Sequence, residues 1–588
     1  MRNSRINKSA LIVIAFLVLA AGAWTFFYRA SLFVGLSSHV NNFRALDLPA
    51  GTLVLERAAE TAPPLRHSPV ATTAAADWPS FNRSLTSERF APLALINREN
   101  VRRLRVRCIY DSGDITSFEA GPLVIGDMMV ATTENDIFAI DPETCKQIWR
   151  THEDYKGVNP LRVNRGAAYL DGRLFRGTQD GRVLAYDARS GQRLWERFIG
   201  DPAIGETTPA APIAWNGLVF IGTAGGDYKG IKGRMYALDA QTGEIRWEFF
   251  LVPRAPGEKI HSPLGKSPLD GSTRSNSVSI PVSGGGTWTS FSLDPETRRL
   301  YVPGGNPGPD FAVRPRGGDD LYTGSLVVLD AITGDYIHHY QLVPKDFHDW
   351  DVSGAPTLAH TQSGRSIVAI APKNGMLYSF DRATNQLLFE TRINRAINVD
   401  VPLAVGDAVR FCPGTAGGAE WNGPAYDPVN DLIYVGEVDW CTTVEVDDEE
   451  TLRSAPIGAP WFGHRTKNPF DIAGKFDDPL NWGGWLYAVD AETGKWRWRD
   501  RSNYPVQSGV TPTAGGVVFF GDMGGNFYAL DADSGERLWG QKIGGAIGGG
   551  VVTYTTHGIQ RVAVAVGFTS VIWPTERTTG KIVVLGID

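Results

Sequence analysis

The chain predicts an all-β propeller of four-stranded antiparallel blades. Three observations carry that expectation. A single pattern recurs seven times: an apolar strand ends in Asp, a turn follows, and a second strand carries an aromatic, as in "VLAYDARSGQRLW" and "FYALDADSGERLW". The Asp residues are Asp141, Asp187, Asp239, Asp330, Asp381, Asp490 and Asp531. Their first and last spacings, 46 and 41 residues, match the ~40–50 residues of one blade. The 66 Gly, 36 Pro and 17 Trp of the 588 residues favour many short strands and turns over long helices. The wider gaps, from Asp239 to Asp330 and from Asp381 to Asp490, have room for a further blade or long insertions.

Taken in order, the chain opens with Arg2, Arg5 and Lys8 before an uncharged apolar run, residues 10–27. That run has about the ~18–20 residues needed to cross a bilayer, and the preceding charges place the main body outside the cytoplasm. "AGA" at Ala21 to Ala23 offers a signal-peptidase site as the alternative. The expected organisation is a membrane anchor (or signal) at 1–30, an Ala/Pro-rich tether at 31–76 and the propeller at 77–588. Cys108, Cys145, Cys412 and Cys441 form an even set in an exported chain, which implies disulfides. Cys412 and Cys441 flank a strand-like run suited to pairing. No C-x-x-C-H occurs, so no haem is covalently attached. The net charge of -7, with no Lys/Arg cluster outside the first residues and "NVRRLRVR", argues against a nucleic-acid binder. Within each repeat, Asp and Thr/Ser bond the turn backbone and Gly supplies positive φ. The aromatic packs between neighbouring blades. The last strand, "KIVVLGID", is placed to close the ring with the first.

From "DWPSFNRSLTSERFAPLALINRENVRRL" to the C-terminus the chain resembles the pyrroloquinoline quinone (PQQ) dependent alcohol dehydrogenases, which are eight-bladed propellers. The resemblance implies a role for several loops. "FEAGPLVIGDMMV" puts Glu119 near a PQQ carboxylate, and "VNRGAAYLDG" makes Arg165 its bidentate partner. "GETTPAAP" offers Thr207, with Thr208 as the alternative. In "FIGTAGGDYKG" a Glu that coordinates calcium in the family is replaced by Asp227, one methylene shorter and with an extra residue before the closing Gly. "VSGGGTWTSF" supplies Trp288 as a flat floor for the quinone. "GGNPGPD" supplies Asn306 as a metal ligand. "PKDFHDWDVSGAP" supplies Asp351 as catalytic base and metal ligand, with Asp349 a rival because the loop is two residues longer. "APKNGMLYSFD" sets Lys373 against the quinone oxygens, and "CPGTAGGAEWNGPAYDP" adds Trp421 and Asn422.

Three departures qualify the likeness. The adjacent cysteines of methanol-oxidising members are replaced around Asn159 and Pro160. Ser353 stands where lanthanide-using members have a further Asp, which points to Ca²⁺. Gln507 replaces a second pocket Trp of some members, which implies a more polar cavity. The expected protein is a periplasmic PQQ- and Ca²⁺-dependent dehydrogenase, held to the inner membrane by its N-terminal helix. It would oxidise an alcohol, polyol or sugar hydroxyl and pass electrons to ubiquinone or cytochrome c. The alternative is a non-catalytic propeller scaffold for partner proteins. Asp227, its inserted neighbour and the missing cysteines favour the scaffold; the set Arg165, Trp288, Asn306, Asp351 and Lys373 opposes it.

Overall fold

The computed structural model describes residues 54–57, 77–155, 161–254, 260–261 and 280–587. The expected transmembrane helix at 10–27, along with Asn159 and Pro160, lies outside the described residues. No helix among the described residues is long and apolar enough to cross a membrane.

Among the described residues, eight antiparallel sheets of four or five strands follow one another along the chain, besides two smaller sheets of two and three strands. Their innermost strands are Leu123–Ile125, Ala168–Leu170, Ile213–Trp215, Ser292–Asp294, Thr357–His360, Ala425–Asp427, Thr511–Pro512 and Val551–Thr556, which we number blades 1 to 8. Apolar clusters join each sheet to the next. Phe138 of blade 1 packs with Val552 and Ala563 of blade 8, so the ring closes. Blades 7 and 8 likewise share Phe519, Phe527, Val562 and Val564.

The closing joint is a strand exchange. Blade 8 takes Arg105–Asp111, the strand that precedes blade 1, as its outer edge beside Lys581–Gly586. This is the closure expected of "KIVVLGID". The Cys108–Cys145 disulfide ties that strand to blade 1 across a Cα separation of 5.8 Å. Cys412 and Cys441 pair as expected. Blade 6 carries a fifth strand, because Val54–Arg57 from the expected tether adds to the outer edge of Trp496–Ser502.

The repeat has a physical cause on both sides of the blade junction. Asp187 Oδ1 accepts bonds from the N–H groups of Arg189 and Ser190 and from the Ser190 hydroxyl. Trp149 of blade 1 donates its indole N–H to Ala188 O at 3.1 Å in that same turn. Gly191 has φ +69°, and a Cβ there would lie 2.4 Å from the Trp149 ring. The glycine therefore turns the chain and also makes room for the preceding blade's indole. Trp195 and Trp247 dock on Ala240 and Ala331 in the same way.

Antiparallel geometry fixes where a site can form. The entrance to an innermost strand and the exit from the second strand lie at the same end of the blade. The Asp turns join the third and fourth strands at the opposite end. Loops 118–122, 165–167, 207–211, 286–291, 351–356, 419–424 and 507–510 all lead into innermost strands. Asp227, Asn306 and Lys373 follow the second strands Leu218–Gly222, Arg299–Pro303 and Ser366–Ile370. The site residues expected from sequence therefore share one face of the ring.

Candidate active site

Asp351 sits in the loop entering blade 5, and both of its oxygens are fixed. Lys373 Nζ lies 2.7 Å from Oδ2, and the Asn306 backbone N–H donates to Oδ1 at 2.9 Å. A Cβ on Gly305 would fall 2.7 Å from Oδ1, so only glycine admits this carboxylate. Lys373 also approaches Asp349 at 3.6 Å. Burial by itself would lower the Lys373 ammonium, but Asp349, Asp351 and Glu420 raise it well above its usual range. Asp349 is held at φ +64°, a left-handed conformation that Asp tolerates better than most residues. Asp346 supports the turn by accepting the N–H groups of His348 and Trp350.

The stretch "FIGTAGGDYKG" folds so that its glycines admit neighbouring backbone. Gly225 has φ +102°, and a Cβ on Gly226 would lie 3.2 Å from Gly286 N and 3.3 Å from Gly284 Cα. The inserted length has a partner. Lys229 Nζ donates to the carbonyls of Leu452, Arg453 and Ala455 at the end of the short helix Glu449–Ser454. Asp227 is thereby brought to two acids on other loops. Carboxylate oxygens of Asp227, Asp310 and Asp349 all lie within 4.8 Å of one another. Burial and the Asp351 charge push Asp227 up to about 6, while Lys373 and a bond from Asn306 oppose the rise. Burial and the neighbouring carboxylates raise Asp310 and Asp349 further, well above the usual range.

Beside the acids lies an aromatic and cationic wall. Trp288 is half-buried. Arg165 is centred 4.6 Å from its ring and Lys373 Nζ 5.6 Å from it. Arg165 donates to Trp288 O at 2.9 Å and pairs with Glu119 at 2.6 Å. Burial pushes Glu119 up to about 7, with Arg165 opposing. Glu420 is likewise pushed up to about 8 by burial, with Lys373 opposing and Asp351 adding.

The remaining expected residues divide by what already engages them. The Thr208 hydroxyl donates to Thr178 O and Arg182 O. The Thr207 hydroxyl has no such bond among the described residues, so Thr207 is the better ligand. Trp421 is centred 5.5 Å from Arg165 and gives its N–H to Gly548 O. The Asn422 amide donates to Gln507 O and Gly548 O and accepts from Arg89, which makes it a strut between loops. Gln507 is 3% exposed and neither polar atom of its side chain has a partner.

The family profile described as "Glucose/ethanol/alcohol dehydrogenase, beta-propeller domain" matches residues 78–405. The chain is 31% identical over 540 residues to the quinohemoprotein alcohol dehydrogenase of Comamonas testosteroni, covering 86% of this chain and 74% of that protein. It belongs to the PQQ-dependent alcohol dehydrogenases.

As a member of that family it is an oxidoreductase acting on CH–OH groups. It is also 30% identical over 516 residues to the lanthanide-dependent methanol dehydrogenase of Methylacidiphilum fumariolicum, covering 81% of this chain and 82% of that one. The europium-containing methanol dehydrogenase structure matches with a TM-score of 0.75 at 26% identity, over 88% of this chain and 99% of that chain. The profile for outer membrane protein assembly factor BamB matches residues 483–583. Relatives of these kinds imply PQQ with a Ca²⁺ or lanthanide ion, and this dehydrogenase has residues that fit both. A half-buried indole with Arg165 and Lys373 beside it suits a flat, carboxylate-bearing quinone. The buried Asp310 carboxylate, which has no hydrogen-bond partner, suits a hard cation. Sequence reasoning passed over Asp310 and Glu420. Asp310 stands only four residues after Asn306, but nothing local shows that it turns toward Asp227.

Proposed function

We propose that the protein is an exported dehydrogenase that oxidises an alcohol, polyol or sugar hydroxyl and passes the electrons to ubiquinone or a cytochrome c acceptor near the membrane. Its relatives are named as alcohol dehydrogenases, some of them quinone-linked. Both disulfides suit an oxidising compartment. The apolar run at 10–27 supports attachment to the inner membrane from the periplasmic side.

The observation that carries the proposal is the Asp351–Lys373 contact of 2.7 Å beside the half-buried Trp288 ring. Bound PQQ would supply the two-electron acceptor, and the hard cation would polarise it. Trp288 would support the quinone plane, and Arg165, backed by Glu119, would hold a carboxylate. Asp351 retains lone pairs beyond its two existing bonds and takes the substrate hydroxyl proton. Lys373 places positive charge where negative charge develops. Gln507 offers an unpartnered amide to a polar substrate group.

The test is reconstitution of full-length protein with PQQ and metal, followed by dye reduction with alcohols, polyols and sugars. Substrate-dependent dye reduction is expected, with a quinone absorbance change on binding. Absence of any quinone spectral change would refute the dehydrogenase reading and leave the scaffold, which the BamB profile match at 483–583 favours.

A further inference from the structure

Asp310 is fully buried, and neither of its carboxylate oxygens has a hydrogen-bond partner. The nearby cation does not answer it. Arg316 donates to the carbonyls of Pro307, Pro309 and Asp346 and leans toward Asp320. An unpaired buried carboxylate is costly unless something coordinates it. Asp227 and Asp349 present oxygens within 4.8 Å of it and of each other. One cation bound at ~2.3–2.6 Å can span oxygens up to roughly 5 Å apart, so a single ion can reach all three.

Charge then separates the candidates among hard cations. Asp351 adjoins the trio through Lys373, which lies 2.7 Å from Asp351 and 3.6 Å from Asp349. Lys373 is the only cationic side chain in an ion pair with any of these four acids among the described residues. Lys373 balances Asp351 at 2.7 Å, and the three carboxylates of the trio bring three negative charges when they coordinate an ion. A divalent ion leaves one of them uncompensated in a buried site; a trivalent ion leaves none. The Ser353 hydroxyl is engaged by Ala419 O at 2.5 Å.

We propose that Asp310 and Asp349 join Asp227 as metal ligands, and that this cage beside Asp351 selects a trivalent over a divalent hard cation. The proposal rests on the dehydrogenase reading for the ion's place beside PQQ; the cage is a property of the chain's own residues.

The experiment is terbium luminescence of metal-stripped full-length protein, excited through tryptophan, since Trp350 stands between Asp349 and Asp351. One Tb³⁺ per chain is expected, displaced by Ca²⁺ only at about 100-fold excess or more, because ligand charge count sets affinity in oxygen sites. Asp310→Asn should lower the required excess by roughly tenfold. Displacement by Ca²⁺ at comparable concentration, or an unchanged ratio in Asp310→Asn, would overturn the proposal. Europium lifetimes in H₂O and D₂O on the unmutated protein make the test independent of the variant's folding. Loss of most coordinated water supports the cage, and a fully hydrated ion refutes it. PQQ binding is followed separately by absorbance. Dye reduction with Ca²⁺ that outcompetes Tb³⁺ would sink the cage and keep the dehydrogenase; tight Tb³⁺ binding without PQQ uptake would do the reverse.

Discussion

Replacing Asp351 by Asn tests the base directly. The amide is nearly isosteric, so the bond from Asn306 N–H at 2.9 Å can persist through its oxygen. The 2.7 Å contact with Lys373 loses its charge partner. What disappears is the ability to accept the hydroxyl proton. A positioned base contributes typically 10²–10⁴-fold, so kcat should fall by that factor, or about 3–5 kcal/mol in barrier. The assay is dye reduction at saturating alcohol after reconstitution. PQQ absorbance and Tb³⁺ titration confirm that cofactor and metal still bind. A kcat within about tenfold of the parent would refute the assignment. So would a larger loss in Asp349→Asn, which would move the base to the rival position.

Stability of the metal- and cofactor-free protein should depend on Glu420. Its carboxyl is raised from 4.5 to about 8, so across that window the folded chain holds a proton that the unfolded chain releases. Stability should therefore fall as pH rises through the window, and Glu420→Gln should flatten the decline in thermal melts. Gly191→Val forces a β-branched side chain into φ +69° and against the Trp149 ring. It should destabilise by roughly 2–4 kcal/mol in denaturant melts with little change in kcat of the folded fraction. Cys108→Ser opens a cross-link between residues 37 apart in sequence and should cost about 4 kcal/mol by loop entropy. An unchanged melting temperature would show that strand pairing alone secures the ring.

The blades were legible in the sequence because their determinants are local. Asp, Ser/Thr and Gly of one turn lie within five residues of each other, and the docking aromatic recurs at a fixed offset. The same logic made the closing strand and the Cys412–Cys441 pair visible. Trp288, Asn306, Asp351 and Lys373 were legible through motif likeness, and the fold gathers them at one face because antiparallel blades bring those loops to the same end. Asp310 and Asp349 were not legible as partners of Asp227. Their meeting depends on Arg316 binding two loops at once, on Lys229 clamping a third to a distant helix, and on glycines that let the backbones approach. The sequence by itself determined the repeat, the ring and most of the residues that the fold gathers at the candidate site. Only tertiary structure decided which carboxylates share one buried volume, because that is set by contacts between loops from different blades, which no periodicity along the chain records.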